Sequence, residues 1–322
     1  AGAAAELDIE EDDVVVGAGE LRARFDDGAG LADDGGAGVL RERLAKDGVL
    51  VIGPSNAFLR YIDQVLPSLG ETDVVLLTPG QIYPGVSTTQ VDTPDAAEVK
   101  GDLVMVRVVA NAVRQRIRVP EHDVTIRLGD GSQVRVTAAQ LAEARRSVPR
   151  NGTFHANREP FLRRVLDHLT RDRARRLGDD PGDPDIRQEI LSDLVDDTEV
   201  RRVLNLMWLP TTPERVIGRL LSDPAVLAAA AEGHLTAAQQ RAVLRPAGSP
   251  WTVDDVPLLD EAAERLGTFF PPARTAARSE EDYAELSSLD PFAVVRPSTT
   301  VAERAMSDRG WVYGHVVVDE AQ

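Results

Sequence analysis

Residues 314–322 read Gly-His-Val-Val-Val-Asp-Glu-Ala-Gln, and this stretch decides the fold class of the chain. Its three valines form an unbroken β-branched run, which is typical of a strand buried on both faces of a parallel sheet. In α/β proteins, ligands bind at the carboxyl ends of such strands. Asp319 and Glu320 follow the valines directly, so we expect both carboxylates at that edge of the sheet.

Two acids at the end of a strand have either a catalytic or a structural use. In the catalytic interpretation, that of a Walker B strand, Asp319 holds a Mg²⁺ ion and Glu320 polarises an attacking water. In the structural interpretation, the acids only cap the helix that follows. The strand alone favours capping, but the complete tetrapeptide Asp-Glu-Ala-Gln favours the Walker B interpretation.

Composition limits the classes of protein to which the chain can belong. At 322 residues, with about 100–200 residues per domain as the usual size, two domains are expected. The net charge of −17 argues against non-specific coating of DNA, which needs concentrated lysine and arginine. The absence of cysteine excludes disulfides, thiolate metal sites and cysteine nucleophiles. No apolar run approaches membrane-spanning length, so we predict a cytoplasmic protein with no membrane partner.

Residues 1–38 are acidic and glycine-rich, and we interpret them as a segment that buries little surface. A phosphate loop needs the spacing G-x-x-x-x-G-K-[ST], in which the lysine reaches the terminal phosphates. No Gly-Lys pair occurs anywhere in the chain. We therefore predict a flexible linker at residues 28–38. The five histidines show no metal-ligand spacing and no G-x-S-x-G motif occurs, so hydrolysis by a zinc or serine mechanism is not expected.

A βαβ unit is predicted near the start of the ordered part of the chain. Two short apolar runs, residues 49–52 and 74–77, flank a stripe of apolar residues at helical spacing that extends to Leu69. The crossover between the two strands is expected to be right-handed. The loop after the first strand would lie at the same sheet edge as Asp319, and it consists of Gly53, Pro54, Ser55 and Asn56.

From about residue 88 to residue 300, predominantly helical segments replace the α/β pattern. The exception is a hairpin predicted at residues 124–128 and 133–136. The predicted helix 160–177 carries six arginines, a run that usually marks a solvated helix face, with a docking surface as the alternative. Other helices are predicted at residues 141–146, 187–195, 199–207, 213–221, 224–231 and 251–267, the last capped by Asp254 or Asp255. A capping box at residues 300–303 predicts a short helix before the final strand.

Several stretches together resemble one known family. Residues 44–71, 251–267 and 311–322 are similar to the HelD-type branch of the UvrD/Rep-like superfamily 1 helicases. Further landmarks are Asn-Arg-Glu-Pro-Phe at residues 157–161 and Leu-Met-Trp-Leu-Pro-Thr-Thr-Pro-Glu at residues 206–214. Each stretch alone is weak evidence for the family, but the order and spacing of the stretches together are specific for it.

The resemblance covers most of the chain after residue 38. It implies an α/β fold in which a partial RecA-like (P-loop NTPase) 1A domain is interrupted by a large, mostly α-helical insertion. In this division, residues 1–38 are the acidic segment and residues 39–90 the first part of the 1A domain. Residues 91–298 are the family-specific insertion and the candidate for polymerase binding, and residues 299–322 return to the 1A domain with its Walker B strand.

HelD-type proteins bind RNA polymerase, open its clamp and release it from nucleic acid, with ATP turnover driving the cycle, and some protect against rifamycins. By this resemblance, Asp319 would be the Mg²⁺-associated carboxylate and Glu320 the catalytic base that positions the hydrolytic water. Gln322 would couple the nucleotide state to the rest of the motor. The loop at residues 53–56 would match a motif that faces nucleic acid in helicases. The sequence does not decide whether the HelD-type branch makes the same contact.

Departures from the family limit the activity expected of this chain. Family members carry a Walker A loop just before the Leu44 stretch, where this chain has residues 28–39 without a lysine. The arginines of a second RecA-like domain and the long N-terminal coiled coil are also missing. We therefore expect the chain alone neither to bind ATP and Mg²⁺ tightly nor to hydrolyse ATP. A fragment, a deletion and the ordered remainder of a longer protein all agree with the sequence.

Three functions are compatible with these observations. The first is a piece of an ATPase motor whose full-length parent remodels RNA polymerase in transcription recycling. The second is a non-catalytic module, in which the helical insertion binds RNA polymerase and the RecA-like remnant is a scaffold. The third is a DNA-unwinding, UvrD-like helicase, which the acidic charge disfavours.

Overall fold

The fold is taken from a computed structural model. The residues that the structure describes are 48–66, 74–149, 151–268, 306 and 308–319. The predicted linker at residues 28–38, the predicted capping box at residues 300–303 and Leu69 lie outside these ranges. Within them the protein is a mixed α/β protein that is mostly helical, as expected. The RecA-like assignment stays a prediction.

The described residues form five strands and eleven helices. The strands are β1 (Val49–Ile52), β2 (Val74–Leu77), β3 (Val124–Arg127), β4 (Gln133–Val136) and β5 (His315–Val318). The helices are α1 (Asn56–Val65), α2 (Pro94–Gly101), α3 (Val104–Arg114), α4 (Ala138–Arg146), α5 (Phe154–Leu177), α6 (Pro184–Asp196), α7 (Thr198–Met207), α8 (Pro213–Leu220), α9 (Pro224–Ala230), α10 (Ala237–Val243) and α11 (Val256–Leu266).

The chain divides into two compact units. The sheet unit takes its described residues from 1–101, 250–260 and 272–322. The helical unit takes its described residues from 102–249 and 261–271. The predicted division at residues 90 and 298 stays a prediction. No helix among the described residues is both long enough and apolar enough to cross a membrane.

The sheet unit is built on a parallel sheet with the strand order β2-β1-β5. Leu50 on the central strand is in register with Val75 on β2 and Val316 on β5. Leu50 and Val75 are 1% and 2% exposed, and with Ile52 they form the centre of the core. The predicted βαβ unit is confirmed, because α1 connects two strands that pair in parallel.

The strand β5 forms where it was predicted but is not buried as predicted. Val317 and Val318 are each 41% exposed. Within the described residues β5 pairs with β1 alone, which places it at the edge of this sheet. The prediction of a strand buried on both faces was wrong, because a β-branched run reports strand propensity and not the number of neighbouring strands.

A buried ion cluster joins two distant segments of the sheet unit. Lys100 Nζ lies 2.5 Å from Asp92 Oδ2 and 2.8 Å from Asp255 Oδ1, and the Lys100 and Asp255 side chains are 1% and 0% exposed. The Thr252 hydroxyl donates to Asp92 Oδ2 at 2.6 Å. Each charge is therefore compensated by a partner, as burial requires.

The same cluster corrects the predicted start of the helix at residues 251–267. Thr252 is the N-cap of a 3₁₀ turn, Val253–Asp255, which leads into α11. The Thr252 N–H donates to Asp255 Oδ2 at 2.8 Å, so Asp255 closes a capping box from within the turn. Asp254 or Asp255 was predicted to cap this helix. The Asp255 carboxylate instead accepts from the Thr252 N–H and from Lys100, and the cap of α11 itself stays a prediction.

The helical unit is organised around α5, which begins six residues earlier than predicted. Pro160 lies inside the helix and does not start it. Asn157 holds the earlier turn, because its side-chain amide donates to Pro149 O at 3.0 Å and to Gly152 O at 2.9 Å. Phe161 and Val165 are fully buried on this helix. The fixed φ of proline suited it to a predicted first turn, but tertiary contacts extend the helix beyond it.

Ion pairs neutralise most of the arginine run on α5. Five of its six arginines pair with carboxylates of the helical unit, and these pairs are Arg163–Glu159, Arg164–Glu143, Arg171–Asp167, Arg173–Asp130 and Arg176–Asp172. Arg175 is exposed. This pairing supports the interpretation of a solvated helix face over that of a docking surface.

The predicted hairpin is confirmed as an antiparallel pair of β3 and β4. Ile126 is in register with Val134, and both are buried. Gly131 in the turn has φ = 83°, a left-handed conformation that glycine adopts without strain. The strand β3 ends one residue before the predicted Leu128.

Candidate functional site

The carboxyl ends of the three parallel strands place Asp319 and the loop after β1 at one edge of the sheet. Ile52 is in register with Leu77 and Val318, the last residues of their strands. The Asp319 N–H donates to Ile52 O at 3.0 Å, and the Gly53 N–H donates to Leu77 O at 3.1 Å. The predicted proximity of Asp319 to the loop is therefore present, at the edge where α/β proteins bind ligands.

The loop at this edge is held by its connection to α1. Ser55 is the N-cap of the helix, and its hydroxyl accepts from the Phe58 N–H at 3.3 Å. A Cβ atom at Gly53 would lie 2.6 Å from the Leu59 side chain. A side chain at position 53 would therefore require the Leu59 and Phe58 side chains to move. Pro54, Ser55 and Asn56 are exposed and accessible to a ligand.

The loop after β2 closes on itself at the same edge. The Thr78 N–H donates to Gln81 Oε1 at 3.0 Å, and Thr78 is 6% exposed. A Cβ atom at Gly80 would lie 2.0 Å from Thr88 O, so only glycine fits there. These contacts leave Thr78 with a structural role in this loop.

Of the residues predicted to carry ATP chemistry, the structure describes one, Asp319. Glu320 and Gln322 lie outside the described residues, and the roles of all three stay predictions. The edge supplies a carboxylate and a loop but, in the described part of the chain, no lysine. Lys100, the one lysine there, is buried between Asp92 and Asp255. Among the described residues, no group of three or more His, Asp or Glu side chains is arranged to hold a metal ion. These residues alone do not fit a nucleoside triphosphate with its Mg²⁺.

In the helical unit, the two landmark segments at residues 157–161 and 206–214 come together. The guanidinium group of Arg158 donates from Nε to Trp208 O at 2.8 Å and from a terminal nitrogen to Asn205 Oδ1 at 2.7 Å. The rings of Phe161 and Trp208 lie with centroids 5.2 Å apart. The two segments therefore specify one packed element.

Trp208 is the centre of this element. Its side chain is fully buried, and the Phe154 ring lies 5.5 Å from it. The guanidinium carbon of Arg145 lies 5.1 Å from the centroid of the indole ring, a cation–π distance. Trp208 also pairs with Ile117 in an isolated antiparallel bridge. The tryptophan thus connects three separate stretches of the helical unit.

Two histidines of the helical unit are held in their neutral form. Burial lowers the pKa of His155 below its ordinary value of 6.5, and this outweighs the hydrogen bond to Gly267. The His155 Nδ1–H donates to Gly267 O at 3.0 Å, while Nε2 accepts from the Thr211 N–H at 3.5 Å. Burial also lowers the pKa of His168, although Glu143 lies 3.6 Å away.

This pair of histidines predicts that the free energy of unfolding falls as the pH drops below about 6.5. Because the folded-state pKa values are lowered, the unfolded chain binds more protons in this range. The stabilisation that the two neutral histidines contribute is therefore complete above pH 6.5. It is lost as the pH falls through the pKa values of the histidines in the folded chain. Urea unfolding between neutral and mildly acidic pH would measure this loss of stability.

The variant His155→Gln tests the assignment, because its free energy of unfolding should change less steeply with pH than that of the wild type. The exposed His122→Gln is the control for loss of a titratable ring. An equal slope in wild type and His155→Gln would contradict this assignment.

Comparison with known proteins does not identify a family. No protein-family model matches the chain, and no curated protein matches it significantly.

Proposed function

We propose that this chain is part of a HelD-like superfamily 1 factor that binds RNA polymerase and releases it from nucleic acid. Within that factor, the helical unit is the candidate for polymerase binding and the sheet unit is part of the ATPase motor. The observation that supports this proposal best is the position of Asp319. It follows a parallel strand at the carboxyl edge of the sheet, beside the loop at residues 53–56, which is the place that a Walker B carboxylate requires.

The landmark segments add support from the helical unit. Residues 157–161 and 206–214 are far apart in the sequence, yet Arg158 and Phe161 contact the backbone and ring of Trp208. Residue patterns shared with a family are expected where a fold depends on them. The packing around Trp208 gives a physical reason for both landmarks.

The second candidate function is a non-catalytic polymerase-binding module, and one sequence feature favours it for this chain. No Gly-Lys pair is available to grip the terminal phosphates of ATP. Asp319 and Glu320 would then be remnants of a hydrolytic strand. Processive DNA unwinding is the weakest candidate, because the net charge is −17 and five of the six arginines predicted on α5 are paired within the unit.

We expect purified core RNA polymerase, immobilised on beads, to retain the chain at low salt. An acidic protein of similar size and net charge is the matched control for non-specific retention. Gel densitometry of the eluted fractions measures the bound share. Retention of the chain equal to that of the control would count against both polymerase-binding hypotheses.

A nucleotide titration separates the motor from the module. Equilibrium dialysis with ATP and Mg²⁺ should show no saturable binding in the micromolar range, where each tenfold change in affinity is about 1.4 kcal/mol. Micromolar affinity for ATP would contradict the prediction that the chain lacks the phosphate-binding half of the site.

A further inference from the structure

The outer edge of β3 carries backbone groups that point away from its partner strand. In an antiparallel pair, successive residues alternate between bonding to the partner strand and pointing outward. The Leu128 N–H donates to Ser132 O at 2.8 Å, and Ile126 is in register with Val134. These residues therefore bond inward to β4. Thr125 and Arg127, which alternate with them, direct their N–H and C=O groups to the outer edge.

The two edges of this hairpin differ in how they are covered. On β4, the outward N–H of Arg135 donates to Asp172 Oδ2 of α5 at 2.8 Å. Beyond the end of β3, the Gly129 N–H donates to Asp197 Oδ2 at 2.8 Å. For Thr125 and Arg127, the described part of the chain supplies no acceptor to the outward N–H groups. Unpaired groups at a strand edge are a template for another strand.

A groove runs along this open edge. Its volume is about 520 Å³, and it lies between β3 and α7, which pack beside each other in the helical unit. The groove is lined by Thr125 and Arg127 on the strand and by Glu199, Arg202 and Val203 on the helix. Thr125 and Arg127 are both exposed. The backbone groups that lack a partner therefore face a space beside the strand.

We propose that the outer edge of β3 binds an extended peptide segment of a partner protein, which adds a third strand to the hairpin in the groove beside α7. Strand addition obtains affinity from main-chain hydrogen bonds and specificity from alternate side chains. This proposal does not depend on RNA polymerase being the partner.

The charge at this edge defines the peptide further. Arg127 is exposed, and it forms no ion pair with a carboxylate of the described residues. Opposite charges on neighbouring strands stabilise each other. The segment therefore carries an acidic side chain opposite Arg127 and an apolar one towards Val203.

A second copy of this chain is a less suitable partner for the same edge. Its β3 has only four residues and lies beside its own α7. Edge-to-edge pairing of two copies would bring two exposed Arg127 side chains to the shared edge, and like charges on neighbouring strands destabilise the pairing. Short edge strands with a charged residue are also typical of edges that avoid self-association.

The test begins with a displayed library of random octapeptides selected on the full chain. The expected result is enrichment of peptides that alternate acidic and apolar residues. Thr125→Pro should weaken the enriched peptides by about tenfold or more, because it removes one outward N–H and leaves a peptide acceptor unpaired. The change spares the ladder to β4, since proline is tolerated where the N–H points away from the sheet. Thr125→Ala is the matched control, because it keeps the N–H, and it should bind as the wild type does.

Two further changes act on the side chains of the groove. Arg127→Glu should weaken acidic peptides by about tenfold or more, whereas Arg175→Glu makes the same charge change at an exposed position on α5. Val203→Trp fills the groove without altering the backbone of β3. Circular dichroism of each variant shows whether the fold is retained.

Amide exchange tests the same edge in the wild-type chain. The Thr125 and Arg127 amides should exchange quickly in the free protein and become protected when an enriched peptide is bound. The Ile126 amide, which bonds to β4, should be protected in both states. Three results would overturn the proposal: no enriched peptide, equal binding by Thr125→Pro, or protection of Thr125 and Arg127 in the free protein. Concentration-dependent protection with dimerisation would instead assign the edge to a second copy and would also overturn it.

Discussion

Replacing Lys100 with methionine is expected to destabilise the sheet unit by about 3–5 kcal/mol. The change removes the ammonium group that lies 2.5 Å from Asp92 and 2.8 Å from Asp255. Asp255 is fully buried, so its carboxylate would be left in the protein interior without its cation. Chemical unfolding in urea, followed by circular dichroism, would measure the loss. An unchanged unfolding midpoint would contradict this account of the ion cluster.

Two variants test whether the loss of stability in Lys100→Met comes from the buried charge. Arg163→Met removes an ion pair whose side chains are 75% and 77% exposed, and it should cost less than about 1 kcal/mol. The double variant Lys100→Met, Asp255→Asn should be more stable than Lys100→Met alone. An asparagine at 255 keeps an oxygen that accepts from the Thr252 N–H but carries no charge.

Replacing Trp208 with alanine is expected to destabilise the helical unit by about 3–5 kcal/mol. The indole is fully buried and lies against the rings of Phe154 and Phe161, with Arg145 over its face. Its removal leaves a cavity among residues that α5 and the neighbouring segments hold in place. Thermal and urea unfolding, followed by circular dichroism, would measure the effect.

Nearby substitutions provide the controls for Trp208. Leu206→Ala changes a large apolar residue two positions away that is 61% exposed, and it should alter stability by less than about 0.5 kcal/mol. Trp208→Phe keeps an aromatic ring beside Phe154 and Phe161, and it should reduce stability less than Trp208→Ala does. Equal stabilities of Trp208→Ala and Leu206→Ala would show that the packing around Trp208 does not stabilise the helical unit.

The elements with strong local signals were predicted from the sequence. The strands β1 and β2 are short apolar runs, and Gly53 and Pro54 mark where β1 ends. The hairpin of β3 and β4 alternates apolar and polar residues across a glycine-containing turn. Signals of this kind act within a few residues, so they can be recognised without knowing what packs against the element.

Elements that depend on distant contacts were missed. The helix α3 contains several valines, which favour strands, and it is helical because Val108 and Val109 are completely buried against other helices. The helices α2 and α10 were also not predicted, although Thr236 and Gln239 form a capping box at the start of α10, which is a local signal. The burial of β5 was predicted wrongly, because the number of strands beside it is not encoded in its own residues.

The buried ion cluster was missed for the same reason. Lys100 lies 8 residues from Asp92 but 155 residues from Asp255. A signal was available, since only two lysines occur in a chain that otherwise uses arginine. A single lysine in a helical segment did not indicate which carboxylates it would meet.

The candidate site at the sheet edge was predicted in position, and its chemistry stays a prediction. The parallel register places Asp319 beside Gly53, as the order of strand and loop indicated. Glu320 and Gln322 lie outside the described residues. Hydrolysis requires groups that hold the phosphates as well as a carboxylate, and the sequence has no Gly-Lys pair to supply them.

The measurement that tests the central claim most directly is a binding titration of the fluorescently labelled chain with core RNA polymerase, followed by anisotropy. The proposal predicts saturable binding of micromolar or tighter affinity at low salt, with the same dissociation constant in the presence and absence of ATP and Mg²⁺, because this chain alone is expected not to bind ATP tightly. No saturation at low salt, in a chain whose circular dichroism shows it to be folded, would contradict the claim.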